Sequence, residues 1–211
     1  MTENKCIAVF GATGKVGREF VKMALETGYS LRVLVRQSSS FEHNNDNRVD
    51  VIEGDAANAD DVFTVVAGSD VVVSVLGNPS RNAQIMFQAT DNIMKAAAGQ
   101  PNPPRCLMIS SVGVGGSSWL IKISLTLIGG RAGFEDYERA EARVRSEDQL
   151  PVVVLRPYAL TNKPAKGQYK VIPGQTVHFG KPISRVNVAR LFLDCVEDTS
   201  MDGACVNVGG V

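Results

Sequence analysis

The chain has 211 residues, 44% of them hydrophobic and 21% charged, an ordinary globular composition that argues against disorder. Basic and acidic residues balance at 22 each, so no excess of positive charge points to nucleic acid as a partner. The length suits one domain spanning residues 1–211, or one domain with a subdomain.

After a polar start, the apolar run 6–10 reads as a strand. Gly11, Gly14 and Gly17 follow at three-residue intervals, and a helix is predicted over 15–27. Val16, Phe20, Met23, Ala24 and Leu25 give that helix an apolar stripe, and Gly28 stands where a C-terminal cap belongs. A second strand over 31–36 ends at Arg36 and leads into a polar loop, 37–48. A third strand, 50–53, ends at Gly54 and Asp55, with a helix next over 60–67. The fourth strand, 70–76, is rich in β-branched residues, as suits a strand buried on both faces of a parallel sheet, and it ends at Gly77. A helix over 82–98 carries Ile85, Ala89, Ile93 and Ala97 on one face and stops at the proline-rich stretch 99–104. The fifth strand, 106–109, runs into Ser110 and Ser111. An irregular region, a charged helix over 135–148 and a sixth strand over 152–155 come next, the last ending at Arg156 and Pro157. Beyond Tyr158 the stretch 161–182 is rich in Gly, Pro and Lys, with short apolar pieces at 169–172 and 176–179. A helix over 185–197, with Ser184 as its N-cap, and a strand over 205–208 complete the chain.

Strand–helix alternation predicts an α/β fold: a doubly wound (Rossmann) mostly parallel sheet with a small C-terminal substrate-side portion. Such sheets bind ligands at the carboxyl ends of their strands. Here those ends are Gly11, Arg36, Gly54-Asp55, Gly77, Ser110-Ser111 and Arg156-Pro157, nearly all glycine, polar or proline. The turn from Gly11 through Thr13, Gly14, Lys15 and Val16 to Gly17 follows a strand and opens a helix. Its N–H groups and the helix dipole suit the pyrophosphate of a dinucleotide. An NAD site usually carries Asp or Glu at the end of the second strand, whereas this strand ends in Arg36 followed by Ser38, Ser39 and Ser40. A guanidinium suits a 2′-phosphate, so the expected cofactor is NADP(H). Asp55 and Ala56 are candidates for the adenine side, and Asp55 equally for a local turn cap.

Cys6, Cys106, Cys195 and Cys205 have no metal spacing, and His43 and His178 lie far apart. The expectation is a cytoplasmic protein with reduced cysteines and no metal. There is no signal-peptide pattern at the start, and the longest apolar run, 119–128, is interrupted by Lys122 and too short to span a bilayer.

The segments Phe10-Gly11-Ala12-Thr13-Gly14-Lys15-Val16-Gly17, Leu34-Val35-Arg36, Gly54-Asp55, Ile109-Ser110-Ser111 and Leu155-Arg156-Pro157 resemble the atypical short-chain dehydrogenase/reductases. They resemble more closely the NAD(P)H-binding group that includes biliverdin IXβ reductase/flavin reductase and NmrA-like proteins. The stretch 182–189 is similar to an element of the same group, so the resemblance covers nearly the whole chain. It implies NAD(P)H binding, with Leu76, Gly77 and Ser110 at strand ends on the cofactor side and Pro157 and Tyr158 walling the nicotinamide. It also implies a hydroxyl at Ser111 that bonds substrate, with Ser110 as the alternative if the register is off by one. Tyr137 falls where relatives place a catalytic tyrosine. Their usual lysine one turn later is here Glu141. Without an ammonium nearby the phenol serves as proton donor rather than base. The other reading is an ordinary helix tyrosine. Arg156 reads as structural, paired with backbone or a carboxylate.

The apolar segment 119–128, flanked by glycines, has three open readings: a lid, a surface for a second subunit or partner, or a buried helix. Together with 158–184, the region 112–134 forms the expected substrate side. The leading expectation is an NADPH-dependent oxidoreductase that reduces an apolar or conjugated small molecule such as a flavin, quinone, tetrapyrrole or enone. A non-catalytic NADP(H) sensor or assembly protein of the NmrA-like kind is the first alternative. An epimerase, dehydratase or isomerase is the second.

Overall fold

The computed structural model describes residues 5–78, 80, 83–115, 130–164, 169–172 and 181–211. Among the described residues there are ten strands and five α-helices, in the order β1 (Cys6–Phe10), α1 (Lys15–Thr27), β2 (Ser30–Val35), β3 (Val49–Glu53), α2 (Ala59–Val66), β4 (Val71–Ser74), α3 (Met86–Ala98), β5 (Arg105–Ile109), α4 (Arg131–Arg145), β6 (Val152–Pro157), β7 (Leu160–Thr161), β8 (Tyr169–Ile172), β9 (Ile183–Ser184), α5 (Arg185–Glu197) and β10 (Cys205–Gly210). A short 3₁₀ turn, Ser38–Ser40, follows β2.

The main sheet has eight strands in the order β3-β2-β1-β4-β5-β6-β10-β8. Every pairing in it is parallel except β10 with β8. The sheet is therefore the mostly parallel, doubly wound one expected. Strand order reverses beside β1, which pairs with β2 on one side and β4 on the other. That reversal opens a crevice at the carboxyl ends.

Both faces are covered, which is why the central strands are apolar at consecutive positions rather than at alternate ones. Ile7, Val9, Val33, Val73, Leu107 and Leu155 pack on the face of α1 and α5 with Phe20 and Phe192. Ala8, Phe10, Leu34, Val72, Met108 and Val154 face α2, α3 and α4 through Val62, Ile93 and Val144. At about 25 cal/mol per Å² of apolar area, these two layers supply the main driving force for folding.

The bounds of α1 and α5 are those predicted, and Ser184 caps α5 by accepting the Asn187 N–H at 3.1 Å. Elsewhere tertiary contacts moved the ends. Strand β4 stops at Ser74 rather than 76, where the Val75 backbone turns to meet Gly11. Helix α3 starts at Met86 rather than 82. Its first N–H groups are capped by Asp136, which accepts from Met86 N at 2.7 Å and Phe87 N at 3.2 Å. Helix α4 runs from Arg131 to Arg145 rather than over 135–148. The apolar piece 169–172 became the antiparallel edge strand β8, while the piece 176–179 and the segment 119–128 lie outside the described residues.

Candidate functional site

The turn after β1 is shaped by contacts that exclude side chains. Gly11 has φ +86°, and a Cβ on it would stand 2.9 Å from the Val75 carbonyl. A Cβ on Gly17 would collide with the Gly11 carbonyl oxygen, so α1 lies directly against the turn. Gly14 is the N-cap of α1 without a side-chain cap bond, and its N–H donates to Gly11 O at 2.9 Å. The first-turn N–H groups of α1 are thus left facing the crevice, in the field of the helix dipole. This cradle fits the pyrophosphate of a dinucleotide.

Two clefts meet above the turn. The first, about 230 Å³, is bordered by Gly11, Thr13 and Gly14, by Arg36 beyond β2, by Gly54, Asp55 and Ala56 beyond β3, and by Leu76, Gly77 and Ile85. The second, about 830 Å³, runs from Gly14, Lys15 and Val16 past Leu76, Gly77 and Asn78 to Ser110, Ser111, Tyr137, Pro157, Tyr158 and Arg185. Val75, Leu76 and Gly77 border both. The candidate site residues line one cleft or the other except Gly17, which is buried beneath the turn, while Ser38 and Ser39 beyond Arg36 border neither cleft. Of the substrate-side regions 112–134 and 158–184, Val112, Tyr158, Ala159 and Leu160 border the second cleft.

Asp55 is partly committed elsewhere. Its Oδ1 accepts the Ala57 N–H at 2.8 Å, a local turn cap, while its own N–H donates to Asp61 Oδ2 at 2.9 Å. The Ala56 carbonyl accepts from Asn92 Nδ2 at 3.0 Å, which ties the floor of the first cleft to α3.

On the second cleft, α4 supplies Tyr137. The Asn78 N–H donates to its Oη at 3.4 Å, and Asn78 Nδ2 donates to the Gly133 carbonyl at 3.4 Å. Burial pushes the phenol above its ordinary pKa, and neighbouring Asp136 adds to the rise. The Asn78 N–H bond pulls the other way. At neutral pH the group is therefore a protonated phenol, able to donate.

One turn further along α4, Glu141 is 2% exposed and fully engaged. Ser110 Oγ donates to its Oε2 at 2.8 Å, Arg156 Nε donates to the same oxygen at 2.9 Å, and Arg156 also reaches Oε1. Arg145 pairs with Oε1 at 3.1 Å. Arg156 is itself 0% exposed, and its pairing with a carboxylate is the structural role read from the sequence. Burial disfavours its charge, yet the bond to Glu141 more than compensates and holds the guanidinium pKa above its ordinary value. The turn beyond β5 lies over this cluster, since a Cβ on Gly115 would stand 2.8 Å from Glu141 Oε1. Ser110 thus spends its proton on Glu141. Among the described residues Ser111 donates only to the Val112 carbonyl, at 3.4 Å, and it lines the second cleft.

Asn78, Asp136 and the Ser110–Glu141–Arg156–Arg145 cluster were not found as partners from sequence. No local spacing links residues so far apart along the chain. Among the described residues there is no group of three His, Cys, Asp or Glu that could hold a metal, and no helix long and apolar enough to cross a membrane. The four cysteines are unpaired by disulfides.

A family model described as NAD(P)H-binding matches residues 11–199. A short-chain dehydrogenase/reductase of the wide type from Veillonella parvula DSM 2008, solved in complex with NADP, has a TM-score of 0.82 at 22% identity, covering 97% of this chain and 94% of that one. An anaerobillin reductase from Escherichia coli O157:H7 has a TM-score of 0.79 at 20% identity, covering 97% and 96%. A putative NAD-dependent epimerase/dehydratase from Bacillus halodurans has a TM-score of 0.82 at 20% identity, covering 98% and 94%. These likenesses are likenesses of fold. Taken with the glycine cradle and the match over most of its length, the chain belongs to the NAD(P)H-binding family with the short-chain dehydrogenase/reductase fold.

Proposed function

We propose that the protein is an NADPH-dependent reductase that transfers hydride to a small apolar or conjugated acceptor, such as a flavin, quinone, tetrapyrrole or enone. The observation that carries this reading is the meeting of two clefts at Val75, Leu76 and Gly77, with Ser111 and Tyr137 both lining the second. NADPH, when bound, supplies the hydride. The glycine cradle holds the pyrophosphate, and Arg36 supports the choice of NADP(H). It is exposed and makes no ion pair among the described residues, so its guanidinium is free for a 2′-phosphate. Ser111 donates to the acceptor's carbonyl or imine as charge develops there, and Tyr137 Oη supplies the proton. Pro157, with no N–H, and Tyr158 wall the cleft with apolar surface.

A second reading, a non-catalytic NADP(H) sensor or assembly protein, is favoured by one observation. The position one turn beyond Tyr137 is a carboxylate locked in a buried ion pair, so no ammonium there activates the phenol. An epimerase or dehydratase needs a base, and a phenol held protonated does not serve as one.

The test is NADPH consumption over flavins, quinones, tetrapyrroles and enones, with the NADPH Kd measured in parallel. At least one class should turn over. Tyr137→Phe and Ser111→Ala should each lower kcat by about 10²-fold with NADPH affinity unchanged. Tight NADPH binding with no turnover across the panel refutes the reductase and supports the sensor.

A further inference from the structure

The second strand leads into Arg36 and carries no acid of its own. The fold sets an acid of the neighbouring strand against the loop that follows Arg36. Glu53 ends β3 and lies in register with Val35, the residue before Arg36. The two strand ends are fastened by the Gly54 N–H, which donates to the Val35 carbonyl at 2.9 Å. From that position Glu53 reaches over the loop that carries Arg36, and its Oε2 accepts the Ser38 N–H at 3.2 Å. Glu53 is exposed and makes no ion pair among the described residues. Arg36, close by on the adjacent strand end, is equally unpaired.

A carboxylate with no ion pair among the described residues therefore sits on the backbone amide of the arginine–serine loop. An amide N–H and a guanidinium are the donors that a 2′-phosphate would recruit. A carboxylate on that amide occupies one of them and repels the incoming dianion. Toward a cofactor with a free 2′-hydroxyl it has the opposite sense, because a carboxylate accepts from a hydroxyl.

We infer that Glu53 is the residue that sets the balance between the two nicotinamide dinucleotides, holding back the NADPH preference that Arg36 creates. The inference rests on the cofactor reading of the preceding subsection.

The test measures the Kd of NADPH and of NADH for the full chain and for Glu53→Gln, Glu53→Ala and Arg36→Ala. Glu53→Gln keeps an oxygen to accept the Ser38 N–H and removes only the charge. It should tighten NADPH by about three- to fivefold, the size of one exposed ionic interaction, and leave NADH unchanged or weaker. Glu53→Ala should shift the ratio the same way even if both affinities fall through loosening of the loop. Arg36→Ala should shift it the opposite way. The NADPH:NADH ratio is a readout that a merely structural Glu53 would not move, since loss of loop order weakens both cofactors together. A cofactor preference in Glu53→Gln that is unchanged or moved toward NADH, with Arg36→Ala still impairing NADPH, overturns the role of Glu53 alone. Failure of the unaltered protein to bind either dinucleotide overturns the cofactor reading as well.

Discussion

Removal of either partner of the Glu141–Arg156 pair should destabilise the fold strongly, and unequally. Both side chains are buried, at 2% and 0% exposure. Breaking a buried pair costs about 3–5 kcal/mol, because the survivor keeps its charge without its partner. The structure orders the two cases. In Arg156→Met, Glu141 still has Arg145 at 3.1 Å and Ser110 Oγ at 2.8 Å, so the lower end, about 3 kcal/mol, is expected. In Glu141→Leu, Arg156 loses its acceptor. Its Nη1 is already buried without a hydrogen-bond partner among the described residues, so about 5 kcal/mol is expected. For a chain of this size the corresponding fall in Tm is roughly 6–20 °C. Replacing both, Glu141→Leu with Arg156→Met, should recover a large part of the loss, since no buried charge is left unpaired. The assay is a double-mutant cycle by urea unfolding, checked by thermal melting. A cost under about 1 kcal/mol for both single variants, or strict additivity in the double, would refute the reasoning.

Two other outcomes follow from the same structure. Asp136→Ala strips the cap from α3 and leaves the N–H groups of Met86 and Phe87 without their acceptor. It should cost about 2 kcal/mol in urea unfolding, and amide exchange should speed up at the start of α3. Glu197 is held below its ordinary carboxylate range by the hydrogen bond from Lys5, and next by that from Tyr29. A depressed folded-state pKa gives stability that is present above the unfolded value and lost as pH falls through the folded one. Glu197→Gln should therefore flatten the acid limb of the stability–pH curve below about pH 5. Tyr29 is pushed up to about 12 by burial and then by Glu197, so its share of stability is present below the ordinary tyrosine range and disappears as pH rises toward 12. An acid limb identical in the variant and the unaltered protein would remove Glu197 from the account.

What the sequence determined by itself is what can be decided within one short window. The run from Cys6 to Gly17 combines a strand, glycines at fixed intervals and an amphipathic helix, all of them local properties of φ, side-chain size and period. Helices α1 and α5 came out with the predicted bounds because their caps, Gly28 and Ser184, are adjacent in the chain. The sheet's carboxyl rim was legible for the same reason, since each strand ended in its own glycine, polar residue or proline. The tertiary structure decided everything whose partner is distant. Helix α3 begins where it does because Asp136, carried by α4, caps it. The stretch 169–172 is an edge strand because β10 lies beside it. Glu141, legible in sequence only as an absent lysine, is the anchor of a buried cluster that accepts the Ser110 hydroxyl's hydrogen bond and leaves Ser111 lining the cleft. Glu53 is in sequence only the last residue of the third strand, and register sets it beside Val35 with its carboxylate on the Ser38 amide. Periodicity and backbone preference act along the chain. Hydrogen-bond partners and buried charge pairs exist only once packing has brought separate elements into contact.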